Sequence, residues 1–245
     1  SQALPFSEGK IENFYMEYFM KGIKSEAIKD GSVIISGHSY QSKEPGITIT
    51  MNGVFEKQIS KNQGQEDDLI YLSKPLGTGY LLAAYFDNSK LLSSIDFQNL
   101  IGWLKKGNSM ASQISKNFKS NITTDISGFG LASHLSDICK SSELSAEIKL
   151  NEEILINKNI GILENFKSTG FDNNYLSSVS EILISDSNKL KNILYDPQTN
   201  GPLLLSIHKK DQVEFEKKFR LELGFKPILL GKFKKSEDKL INVID

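Results

Sequence analysis

Between residues 8 and 29 the apolar side chains Ile11, Phe14, Tyr15, Tyr18, Phe19, Ile23 and Ile28 recur with helical spacing, as they must to share one face of a 3.6-residue turn. The pattern predicts an amphipathic helix whose apolar stripe covers a sheet. Asp30-Gly31 ends it. Residues 32 to 36 then read as a short buried strand, and residues 46 to 55, where Ile47, Ile49 and Met51 alternate with Thr48, Thr50 and Asn52, as a second strand. A helix and two strands in about 60 residues bury too little surface to stand alone. This first piece is expected to be half of an α+β layer whose other strands come from upstream chain or from a partner.

Residues 56 to 67 are polar and aperiodic, which places a domain boundary near residue 62 and divides the chain into 1–62 and 63–245. Beyond it the pattern changes. Apolar runs at 69–73, 122–125, 146–150, 203–207 and 227–231 read as strands, and segments 80–86, 108–118, 131–140 and 211–223 read as helices. Strands alternating with helices predict an α/β domain, with glycine-rich loops gathered at strand ends. The fold class is therefore α/β in two domains, a partial first one and a complete second one.

Composition narrows the function. The 245 residues carry a net charge of −1 without a local Lys/Arg cluster, which removes the basic footprint that nucleic-acid binding needs. One cysteine, Cys139, excludes an internal disulfide and a multi-cysteine zinc site. No segment approaches the roughly 20 apolar residues of a membrane span, and no basic-then-apolar signal peptide opens the chain. A cytoplasmic protein with no nucleic-acid or membrane partner is expected.

Four loops could carry chemistry. Thr123-Thr124-Asp125-Ile126-Ser127-Gly128-Phe129-Gly130-Leu131 sets a carboxylate ahead of two glycines and a helix start. Asp125 there can ligate Mg²⁺ through hard oxygen, with phosphate on the helix N-terminus, or it can be a turn-former or helix cap. Gly37-His38-Ser39 follows the first predicted strand and reads as a phosphate contact or a plain glycine turn. Lys74-Pro75-Leu76-Gly77-Thr78-Gly79 lies between a strand and a helix, as an anion nest or a tight structural turn. Asp196-Pro197-Gln198-Thr199-Asn200-Gly201-Pro202 reads as a polar loop ahead of a strand. His134 reads as a hydrogen-bonding side chain and Cys139 as a small buried hydrophobe. Neither a histidine-based nucleophile pair nor a Gly-x-Ser-x-Gly elbow is present.

In this order the loops resemble those of the selenophosphate synthetase (selenide, water dikinase) family. Its superfamily includes aminoimidazole ribonucleotide synthetase, thiamine-monophosphate kinase and a hydrogenase maturation factor. Gly37-His38-Ser39 with Glu44-Pro45 is similar to the family's Gly-Gly-His-Ser and Glu-Pro; Lys74 to Gly79 matches Lys-Pro-Leu-Gly-Thr-Gly. Thr124 to Leu131 with His134-Leu135 resembles Thr-Asp-Val-Thr-Gly-Phe-Gly-Leu and His-Leu, Asp196-Pro197-Gln198-Thr199 matches Asp-Pro-Gln-Thr, and Asn108 falls at a family asparagine.

The resemblance implies two α/β layers, a homodimer sharing a barrel built from first-domain strands, and ATP bound with Mg²⁺ between the domains. Selenide, ATP and water would give selenophosphate, AMP and phosphate. Asp125 would hold the metal, while Gly37, His38, Ser39, Gly77, Thr78, Gly79 and Gly128 would meet ATP phosphates. It also implies a Cys or selenocysteine and a Lys in a segment ahead of the matched stretch, so the chain is expected to be a fragment without catalytic residues of its own, inactive alone. Ser36, Asn200 and Pro202 depart from the family pattern. A proline lacks an N–H, so the alternatives are a dimerisation or regulatory module of a larger fusion, or an ATP-dependent enzyme acting on another nucleophile.

Overall fold

In the computed structural model, which describes residues 2–5, 10–42, 46–54, 63–118 and 122–244, the chain divides into two units, Ser1–Gln58 and Ile59–Asp245. Glu44, Pro45 and the predicted boundary near residue 62 lie outside the described residues.

In the first unit β1 (Gln2–Pro5) is followed by α1 (Lys10–Lys29), β2 (Ser39–Ser42) and β3 (Gly46–Ile47). β1 lies between the other two strands, parallel to β2 and antiparallel to β3. The helix forms where the spacing predicts. Met16, Phe19, Ile23 and Ala27 are half-buried along one stripe of α1, but Phe14, Tyr15, Tyr18 and Ile28 are exposed, so much of its apolar belt is left uncovered among the described residues of the unit. Two expectations are corrected. Residues 32–36 form no strand, and only Gly46–Ile47 of the second run does. A strand needs a ladder partner, and Val33 and Ile35, 81% and 88% exposed, have none among the described residues. None of the unit's described residues is buried.

The second unit holds β4 (Leu69–Leu72), α2 (Thr78–Phe86), α3 (Ser94–Leu104), α4 (Ser109–Asn117), β5 (Thr123–Asp125), α5 (Gly130–Ser142), β6 (Leu144–Lys149), α6 (Ile160–Asn165), α7 (Phe171–Ser178), β7 (Ile182–Leu183), β8 (Leu203–Ile207), α8 (Gln212–Leu223), β9 (Ile228–Lys235) and β10 (Ile241–Ile244). Its strands make one seven-stranded sheet, β5-β8-β4-β9-β6-β10-β7. The ladders from β5 to β6 are antiparallel, and β10 is parallel to both β6 and β7. The chain is thus an α/β protein with a mixed sheet.

Both faces of the sheet centre are covered, which is why β4 and β8 read as unbroken apolar runs. Ile70, Leu72 and Leu204 point into a core with Leu81 of α2 and Leu131, Leu135 and Ile138 of α5. Leu69, Tyr71, Leu203, Leu205 and Ile207 point the other way, onto Ile114 of α4 and Phe215 and Phe219 of α8. Cys139 is buried in the first of these cores, as expected, and burial pushes its thiol up to about 12. Among the described residues no helix is long and apolar enough to cross a membrane.

Candidate functional site

Antiparallel pairing brings the ends of β4 and β5 to opposite sides of the start of β8. Asp125 is the register partner of Leu203, and on the far side Ser73 N–H donates to the Leu203 carbonyl at 2.9 Å while Leu203 N–H donates to Ser73 Oγ at 2.8 Å. Loops 73–79, 125–130 and 196–202 therefore meet at one edge of the sheet.

The 196–202 loop closes the N-terminus of α2. Gln198 Oε1 accepts from Gly77 N–H at 3.0 Å, Thr78 N–H at 3.2 Å and the Thr78 hydroxyl at 3.2 Å. Asp196 Oδ2 accepts from Gly79 N–H at 3.2 Å and from Gln198 Nε2 at 2.8 Å, and Thr199 N–H donates to Thr78 Oγ1 at 2.8 Å. Gly77, with φ of 121°, supplies a backbone shape that other residues avoid. Gly77, Thr78 and Gly79 are all buried and these donors are taken within the chain, the arrangement of a tight structural turn. Asp196 and Gln198, unassigned from sequence, are the capping groups.

Burial lifts the Asp196 carboxyl to about 7, against the lowering effect of Gln198 and of the Gly79 and Tyr80 N–H groups. Its Oδ2 carries the bonds, and Oδ1 is buried without a partner among the described residues.

The same loop fixes the Asp125 turn. Ile126 N–H donates to the Pro202 carbonyl at 2.9 Å, and Gln198 N–H to the Ser127 carbonyl at 3.0 Å. Asn174 Nδ2 ties Gly128 and Tyr195 together through their carbonyls, at 2.9 and 3.0 Å. Gly130 enters α5 with φ of 72°, and His134 Nε2 accepts from Ser127 N–H at 3.2 Å. His134 is thus a hydrogen-bonding side chain, as expected. Pro202 contributes to this clamp through its carbonyl, so its missing N–H breaks no bond of the turn.

Asp125 itself is exposed, and among the described residues its carboxylate takes no hydrogen bond or ion pair. Phe129 is the N-cap residue of α5, and no side chain caps that helix, so Asp125 is not spent as a cap. No cluster of three or more His, Cys, Asp or Glu side chains lies near it or elsewhere among the described residues. One free carboxylate fits Mg²⁺, which takes one or two carboxylates and completes its octahedron with water and substrate phosphates; it does not fit zinc.

Lys74 lies beside the turn, its Nζ donating to the carbonyls of Lys106 at 2.8 Å and Asn200 at 2.7 Å. Burial, then the Lys106 charge, lowers its pKa to about 8. Asn108 bridges the loops, accepting from the Ser73 hydroxyl at 3.3 Å and donating to the Gly201 carbonyl at 2.9 Å. Asn200, in the left-handed region at φ of 47°, donates from Nδ2 to the carbonyls of Leu104 and Lys106, closing the C-terminal end of α3. In the first unit Gly37, His38 and Ser39 are exposed, with Ser39 opening β2 against Gln2.

No protein-family model matches the chain. Curated proteins do. A selenide, water dikinase of Shewanella sp. (strain ANA-3) is 30% identical over 195 residues, covering 79% of this chain and 55% of that protein. The one from Campylobacter jejuni (strain RM1221) is 30% identical over 233 residues, covering 92% and 66%. The chain thus spans between about half and two thirds of the relatives it matches. Solved structures share the fold: thiamine-monophosphate kinase from Stenotrophomonas maltophilia K279a superposes with a TM-score of 0.69 at 15% identity, over 99% of this chain and 70% of that one. Hydrogenase maturation protein HypE in complex with ATP gives 0.64 at 12% identity, over 99% and 68%. Over the stretch they share, the chain is therefore a homologue of the selenide, water dikinases, and its fold is that of thiamine-monophosphate kinase and HypE.

Proposed function

We propose that this chain is the phosphate-handling part of an ATP-dependent phosphotransferase of the selenide, water dikinase type, in which selenide, ATP and water give selenophosphate, AMP and phosphate. The observation that carries the reading is the free Asp125 carboxylate at a strand end, on a turn held rigid from Pro202, Gln198 and Asn174, in a chain homologous to proteins of that name. Mg²⁺, when bound, supplies neutralising charge for the polyphosphate. Asp125 would hold the metal, and exposed Gly128 leaves its backbone open to a phosphate oxygen. Gly37, His38 and Ser39 of the first unit are proposed as further phosphate contacts. No nucleophile is assigned to the chain, so by itself it is expected to bind nucleotide without selenide-dependent AMP release. A homodimer in the cytoplasm is part of the same proposal.

The test is calorimetric titration of the chain with Mg²⁺ and a non-hydrolysable ATP analogue. Asp125→Asn should weaken Mg²⁺-dependent binding by about tenfold or more, roughly 1.4 kcal/mol, with the melting temperature unchanged. Equal affinities for the two proteins would remove Asp125 from the metal.

A further inference from the structure

On the α4 and α8 face of the sheet, a cleft of about 250 Å³ is lined by Ser73, Lys74, Lys106, Asn108, Glu222 and Phe225 among others. We infer that this cleft, whose lining includes no residue of the Asp125 turn, is a binding subsite for a small oxyanion of the phosphate class.

Charge is the first argument. Lys74 is 4% exposed, yet its Nζ donates only to two neutral carbonyls, those of Lys106 and Asn200. An ammonium has three protons, so one stays without an acceptor among the described residues, and no carboxylate pairs with the charge. A buried cation compensated only by dipoles favours an anionic neighbour; the lowered pKa of Lys74 reflects the same imbalance.

A second cation is held at the same cleft. Lys106 Nζ stands 4.3 Å from the Trp103 ring centroid and 4.4 Å from that of Phe225, and the two rings meet edge to face at 5.2 Å. Aromatic faces position an ammonium without neutralising it. The start of α4 opens here as well: the Asn108 side chain is engaged by Ser73 and Gly201 and caps none of the helix's first N–H groups. Against these stands one carboxylate, Glu222, which lies 3.9 Å from Lys218 and is thereby partly neutralised. The volume is below the ~300–1,000 Å³ of pockets for drug-sized ligands, which fits a tetrahedral oxyanion with at most a short attached group.

The experiment is titration of the whole chain with inorganic phosphate, without Mg²⁺ or nucleotide, followed by calorimetry. Saturable binding at one site is expected. Lys106→Gln should weaken it by about tenfold, Glu222→Gln should tighten it severalfold, and Asp125→Asn should leave it unchanged, so failure here and failure of the metal assignment at Asp125 are told apart. Lys106 and Glu222 are exposed, so the test stands even where Lys74→Met does not fold. Absence of saturable binding, or affinities indifferent to both Lys106→Gln and Glu222→Gln, would overturn the inference.

Discussion

Asp196 is where a single residue governs a measurable property of the fold. Its carboxyl titrates at about 7 in the native state and near ~3.9 in an unfolded chain. The native state therefore holds the proton more tightly, so this residue's stabilisation is full below about pH 4, declines as pH rises towards 7 and is gone above that. Asp196→Asn can keep an acceptor for Gly79 N–H without carrying a charge. Urea unfolding of the two proteins should show the wild type losing about 2 kcal/mol relative to the variant between pH 5 and pH 8; parallel pH profiles would mean the carboxyl ionises freely in the fold. Gln198→Ala should be worse at any pH, by about 2–4 kcal/mol, because it leaves buried Gly77 and Thr78 N–H groups unpaired. Neither role could be read from sequence. Gln198 and Thr78 are 120 residues apart, and composition reveals that a loop is polar without revealing which amides it will reach. Asp125 could be singled out as a candidate because the chemistry proposed for it is local: a carboxylate, two glycines and a helix start within a few residues.

Among elements, the loops at the β8 edge are joined by backbone contact too close for side chains. A Cβ on Gly201 would lie 2.1 Å from the Ile126 carbonyl oxygen, whereas one on Gly128 meets nothing within 4 Å. Gly201→Ala should consequently destabilise by about 3 kcal/mol or more and displace the Asp125 turn with it. Gly128→Ala should leave the melting temperature nearly unchanged and still weaken nucleotide-analogue binding, if phosphate approaches that backbone. Unchanged binding by Gly128→Ala would place the phosphate elsewhere. At this scale the sequence was legible where period and burial agree. The β8 strand falls at 203–207 as predicted, and α1, α4, α5 and α8 fall within a few residues of expectation. The helix α3 went unread although Ser93 and Asp96 form a capping box at its start, a signal available in the sequence. Residues 32–36 failed for the opposite reason: a β-branched run states a preference, and only a partner strand turns it into a ladder.

For the molecule as a whole, the buried apolar side chains divide unequally. They run from Leu69 to Ile241, and the first unit contributes none among its described residues. The second unit, with sheet faces covered by α2 and α5 on one side and α4 and α8 on the other, has what a domain needs to fold alone. The first has a small three-stranded sheet and an α1 with Phe14, Tyr15 and Tyr18 exposed, more uncovered aromatic surface than a stable monomeric unit of its size is expected to keep. Residues 63–245 expressed alone should therefore unfold cooperatively, with a melting temperature within a few degrees of the main transition of the whole chain. Sedimentation of the whole chain should show concentration-dependent association that residues 63–245 lack, in keeping with the proposed homodimer. Hydrogen exchange adds a separate readout: amides of α1 should exchange far faster than those of α5 in dilute protein and slow as concentration rises. A whole chain that stays monomeric while α1 is protected as strongly as α5 would mean that the first unit is stable by itself, and would remove the reason for expecting a second copy.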